Sequence, residues 1–173
     1  MKKGVFGEVI IGRFVNISIL SFSLEKLKSY FNSKELYYIF GNIELENLKE
    51  LENEPWSVNL VVKSNRSEDF LGFIRIIVMY DADRIIEIHG GGLNNTFYEK
   101  IALTEAWLLI LNECIYKYDC KKIYTTCVNG NQKAQNFILA TGFKKIKENK
   151  DIMYFELNYL IFETIKNKYC LKN

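Results

Sequence analysis

The chain has 173 residues, 49% of them apolar and 14% aromatic, which excludes a disordered polypeptide and suffices for one domain with a sizeable core. Its 23 Lys+Arg against 21 Asp+Glu leave a formal charge of +2, too little to imply nucleic acid as a partner. Cys114, Cys120, Cys127 and Cys170 form no C-x-x-C pair and His89 is the only histidine, which argues against a metal site and for reduced thiols in a cytoplasmic protein.

The first residues place two lysines before an apolar stretch, but Glu8 and Arg13 interrupt it, so a signal peptide is not expected. No apolar run approaches the roughly 20 residues needed to span a bilayer, and no membrane partner is expected. Residues 5–20 read as one strand, with Val15, Ile17 and Ile19 alternating against Asn16 and Ser18. Ser23 and Ser33 are placed to cap helices over 24–31 and 34–40, and a short charged helix is expected near 43–51. Pro55 closes this section, whose Tyr30, Phe31, Tyr37, Tyr38 and Trp56 are candidates for a pocket lining or for core.

Strands are expected over 58–63 and 70–79, with turns at 65–69 and 81–83, and a third strand starts at Arg84. Gly90-Gly91-Gly92 ends that strand and marks either a close approach by another group or a turn. A long helix is expected from near Phe97 to before Cys120; it is apolar nearly all round and therefore buried against a sheet. Strand, helix and strand in succession imply a right-handed crossover into a parallel pair.

Lys121 to Phe143 reads KKIYTTCVNGNQKAQNFILATGF. A β-branched strand precedes Asn129-Gly130, and Asn131 is placed to cap a helix whose Ala134, Phe137, Ile138 and Thr141 share a face. Gly142 is the left-handed stop and Phe143 opens a strand. The last strand pair is expected at 143–147 and 152–157, and residues 159–170 read as helix or docked tail. The late lysines Lys144, Lys145, Lys147 and Lys150 read as a solvated face or a surface for anionic phosphates.

The N-x-x-A spacing of Asn131 and Ala134, with Gly142-Phe143 eight residues after the alanine, resembles motif B of the GCN5-related N-acetyltransferases (GNATs). The element order resembles that fold throughout. The resemblance implies an α/β (α+β) single domain with a mixed, mostly antiparallel sheet and one splayed parallel strand pair. It further implies acceptor-side elements in 1–56, a cofactor-binding core in 57–158 and a C-terminal tail in 159–173.

Acetyl-CoA is the implied acyl donor, without a metal, and the acceptor is a small-molecule or peptide amine; a homodimer is compatible with the sequence. The family binds the pantetheine arm where the two parallel strands part and the pyrophosphate at the N-terminus of the long helix, where amide donors and the helix dipole converge. On this chain those positions are Gly91, Gly92, Leu93, Phe97, Tyr98, Lys100, Ile101, Ala102 and Asn131. Phe97 and Lys100 stand where the family has Arg/Gln and Gly, and Ala102 alone keeps the loop pattern. Thr96 and Glu99 instead read as a capping box that puts a carboxylate where phosphate belongs.

Glu87 and His89 lie two apart on one strand and share a face, as candidates for the base that deprotonates the amine. Ile138 occupies the place of the family's acidic tyrosine. His89-Gly90-Gly91-Gly92 spells an esterase oxyanion loop but has no downstream G-x-S-x-G, and Gly7 to Gly12 has P-loop spacing without the Lys-Ser/Thr. Two functions result: an acyl-CoA-dependent N-acyltransferase, or a GNAT-fold binding protein that has lost its cofactor.

Overall fold

The computed structural model describes residues 9–19, 56–67, 69–80, 82–92 and 96–169. The helices expected between 24 and 51, the aromatics Tyr30, Phe31, Tyr37 and Tyr38, and Leu93 lie outside these residues.

The chain from Val9 forms β1 (Val9–Ile11) and β2 (Val15–Ile19), an antiparallel hairpin rather than the single strand expected over 5–20. Gly12 and Arg13 break the apolar run here, and Gly12 N–H donates to Val15 O at 2.8 Å across the turn. Tertiary bonds add to it: the Arg13 and Phe14 amides donate to the two oxygens of Glu105 at 2.8 and 2.7 Å. A turn whose donors are met by a buried carboxylate is stable without a strong turn sequence.

β3 (Ser57–Ser64), β4 (Phe70–Tyr80) and β5 (Ile85–Gly92) form the expected meander. Helix α1 (Phe97–Asn112) follows and continues as one π-helical turn, Glu113–Lys117, so the regular helix stops earlier than its apolar pattern suggests. Then come β6 (Lys122–Val128), α2 (Gln132–Ala140), β7 (Phe143–Glu148), β8 (Ile152–Leu157) and α3 (Tyr159–Lys168). The described strands form one sheet in the order β1-β2-β3-β4-β5-β6-β8-β7, antiparallel except where β5 pairs with β6.

Gly142 stands at φ +102°, as its place after α2 required, and α3 packs directly on it with Phe162 fully buried. The core lies between the sheet and the helices. Ile86 and Ile88 of β5, Ile74 and Ile76 of β4, Ile123 of β6 and Phe155 of β8 pack with Ala106, Leu108 and Leu111 of α1. Full burial of each large side chain contributes about 1.5–3 kcal/mol.

The triple glycine is part of β5 and not a turn: Gly92, Gly91 and Gly90 pair with Gly72, Phe73 and Ile74 of β4. Its use is close approach by α1. A Cβ on Gly92 would stand 2.4 Å from Leu103 Cδ2, and one on Gly90 would stand 3.0 Å from Trp107 Cζ3. Small residues on β4 and β5 let the helix settle onto the sheet.

Candidate active site at the strand fork

β5 and β6 pair for three residues only, Ile85 with Lys122, Ile86 with Ile123 and Glu87 with Tyr124. Both strands then run on. β5 stays in register with β4 as far as Gly92, and β6 stays with β8 as far as Val128. Each strand follows its other neighbour, so the sheet opens into a fork above Glu87 and Tyr124, and the facing backbone of β5 and β6 is free of ladder bonds between them.

Alternation assigns the two faces of the fork. Even-numbered β5 residues from Ile86 to Gly92 meet α1, whereas Glu87 and His89 lie on the opposite face with Tyr124 and Thr126. His89 Nε2 is 3.0 Å from Glu87 Oε1, and each side chain is 20% exposed. Burial of the Glu87 carboxyl favours its neutral form, but the hydrogen bond and charge of His89 and a hydrogen bond with Thr126 outweigh it, so its pKa lies below the ordinary glutamate value. Glu87 is therefore a carboxylate at neutral pH. Arg75, buried beside this pair, is the β4 partner of His89 in register and reaches Ser57 Oγ at 3.4 Å.

The second part is the N-terminus of α1. Glu99 N–H donates to Thr96 Oγ1 at 3.1 Å and Thr96 N–H donates to Glu99 Oε2 at 2.8 Å, the capping box read from the sequence. Phe97 is 79% exposed and Lys100 is exposed, so both border any ligand at this end. Ile101 is half-buried, and Ala102 is fully buried inside the core. The Tyr98 side chain turns away: its hydroxyl donates to Phe14 O at 3.0 Å, meets Ser64 Oγ at 3.0 Å, and Arg66 stacks on its ring. Only the Tyr98 amide remains at the helix end. Asn131 caps α2 by accepting from Ala134 N–H at 3.1 Å.

Glu87 and His89 are thus brought together at the fork, with Gly91 and Gly92 on the next stretch of β5; Phe97, Tyr98 and Lys100 gather at the helix end. Ile138 is buried in the core and, being aliphatic, supplies no proton. Tyr124 and Thr126 stand on the Glu87 face of the fork, which the sequence alone did not reveal. Tyr124 and Thr126 share a face by period 2, but only the register with β5 reveals that Glu87 lies on it too.

Coenzyme A fits the fork by its free backbone edges. It fits the helix end through the Phe97 and Tyr98 amides and the Lys100 ammonium, with Glu99 holding part of that end. Among the described residues no group of three or more His, Cys, Asp or Glu is placed to hold a metal ion, and no helix is long and apolar enough to cross a membrane.

No protein-family model and no curated protein matches the chain. Solved structures do. A GCN5-related N-acetyltransferase from Brucella melitensis is 18% identical, with a TM-score of 0.72 over 94% of this chain and 83% of that one. Spermidine N-acetyltransferase from Vibrio cholerae, in complex with CoA and spermine, is 14% identical, with a TM-score of 0.69 over 88% and 99%. FdhC, a nucleotide-linked sugar GNAT, is 15% identical, with a TM-score of 0.67 over 94% and 96%. The mixed sheet, its single parallel fork and the helices against it give this chain the fold of the GCN5-related N-acetyltransferases.

Proposed function

We propose that the protein is an acyl-CoA-dependent N-acyltransferase that moves an acyl group, most simply acetyl, onto a primary amine. The observation that carries this reading is the coincidence of the fork with the Glu87–His89 pair at its apex. The acyl donor supplies an electrophilic thioester carbon and a thiolate leaving group.

The residues divide the proton transfers. With Glu87 ionised, His89 Nε2–H donates to it, which leaves the Nδ1 lone pair to accept a proton from the amine. Glu87 positions the imidazole and stabilises it once protonated, a better use of a low-pKa carboxylate than direct proton abstraction. Glu87 is then a positioning residue and His89 the base. Tyr124, in register with Glu87 on the same face, is the phenol that returns a proton to the departing thiolate.

His89→Gln is expected to lower kcat about 10²–10⁴-fold in thiol-release assays with a panel of primary amines, while the Kd for coenzyme A stays within about twofold. An unchanged kcat removes His89 as base. The capping box favours a second reading, in which the helix end is closed to phosphate and the domain binds a partner without catalysis. Absence of coenzyme A binding together with retention of a protein partner would favour it.

A further inference from the structure

Cys114 and Cys120 lie outside the fork and take no part in the chemistry assigned to it. Cys114 stands in the π-helical turn that ends α1, and Cys120 in the irregular link before β6. Asp119, at φ +51°, turns the chain back, and Cys120 N–H donates to Cys114 O at 2.9 Å. A backbone bond of that kind holds the two Cα atoms about 5–6 Å apart, within the separation that a disulfide spans. Tyr159 of α3 fixes the same link by donating its hydroxyl to Cys120 O at 3.0 Å. Both side chains belong to the core cluster, and their thiols are hydrogen-bonded to one another.

The two thiols are not equivalent. Cys114 is fully buried, and its hydrogen bond with Cys120, together with burial, pushes its pKa well up. Cys120 is 5% exposed; the Cys114 hydrogen bond and the Arg84 charge lower its pKa, against burial and the Asp119 carboxylate. A more accessible thiolate beside a buried thiol is the arrangement that turns oxidation into a disulfide instead of a higher acid. Cys127 is the contrast: it is 6% exposed, and burial alone raises its pKa. Exposure does not separate Cys120 from Cys127; pairing does.

We propose that Cys114 and Cys120 form a reversible dithiol–disulfide site, oxidised by hydrogen peroxide, that ties the end of α1 to the start of β6. The Cys120 thiolate attacks one peroxide oxygen, so that an S–O bond forms, the O–O bond breaks and hydroxide leaves. The Cys114 sulfur then attacks the Cys120 sulfur; the S–S bond forms and the S–O bond breaks. The departing hydroxide takes up the Cys114 proton as water. Two thiols and one peroxide thus give one disulfide and two waters, with sulfur oxidised and peroxide oxygen reduced. The bridge lies at the closed end of the fork, beside the Ile85–Lys122 pair and the Lys121 N–H bond to Arg84 O at 3.0 Å. It is independent of what the fork binds.

The test treats the folded wild type with hydrogen peroxide, blocks the remaining thiols in denaturant, counts them and maps tryptic peptides without reductant. The free thiols should fall from four to two. Cleavage after Lys117 separates the two cysteines, so the bridge should join the peptide that ends at Lys117 to Tyr118–Lys121. A dithiol reductant should restore both thiols, and Cys127 should keep its thiol at least about tenfold longer than Cys120. In Cys114→Ser, which lacks the resolving thiol, Cys120 should stop at the sulfenic acid and be trapped by dimedone. Four thiols remaining, a bridge to Cys127 or Cys170, or loss of Cys127 as fast as Cys120 overturns the proposal. Dimedone on Cys127 in place of Cys120 in the variant does so too. Should Cys114→Ser not fold, the wild-type peptide map alone decides.

Discussion

Replacing Glu105 by Ala should destabilise the protein through a turn far away in sequence. The carboxylate is 7% exposed and accepts from the Arg13 and Phe14 amides at 2.8 and 2.7 Å. A hydrogen bond to a charged acceptor contributes about 1.5–3 kcal/mol. The Arg13 side is exposed and water can replace part of that bond, so the pair is worth about 3 kcal/mol rather than the full sum. For a domain of this size the loss corresponds to a fall in Tm of about 6–12 °C. Urea unfolding with the midpoint followed by far-UV circular dichroism measures it. Gly12 supplies a control, because a Cβ there would stand 2.6 Å from Glu105 Oε2. Gly12→Ala should therefore cost less in a Glu105→Ala background than in wild type. A loss below about 1 kcal/mol for Glu105→Ala, with additive effects of the two changes, would refute the idea that this carboxylate holds the hairpin.

Three further outcomes follow from the same geometry. Glu99→Ala removes half of the capping box and should lower stability by about 0.5–1 kcal/mol while raising coenzyme A affinity severalfold, as read by chemical denaturation and titration. Gly142→Ala forces a side chain into φ +102° and sets a Cβ 3.2 Å from the Phe162 backbone, so unfolding should become easier by about 2 kcal/mol; an unshifted urea midpoint would contradict this. The folded-state pKa of Glu87 lies below the ordinary glutamate value, so its contribution to stability is present above that ordinary value and is lost as pH falls through the folded one. Glu87→Gln should accordingly flatten the acid limb of the stability curve.

Local periodicity made much of the fold legible. Ile123, Thr125 and Cys127 alternate inward as their spacing required, Asn131 caps α2, and Gly142 ends it with positive φ. What stayed hidden depends on distant partners. The turn at Gly12–Phe14 has only Gly12 as a local signal and is held by Glu105, 92 positions beyond Arg13. The triple glycine could be read as a turn until Leu103 and Trp107 were seen against it. At the site, the shared face of Glu87 and His89 was readable from period 2. The pairing of the two side chains was not, because it depends on Thr126 across the fork and on their own 3.0 Å contact. Tyr98 shows the opposite case: its place at the helix start suggested a ligand contact, and its hydroxyl is spent on Phe14 and Ser64.

An acyltransferase of this fold must take up coenzyme A at the fork and the α1 terminus. Calorimetric titration with acetyl-CoA, alongside coenzyme A alone, measures this without assuming an acceptor. Binding in the micromolar range with one site per chain is the predicted result. No heat at millimolar ligand, in protein shown to be folded, would contradict it and leave the Thr96–Glu99 box as a plain helix cap.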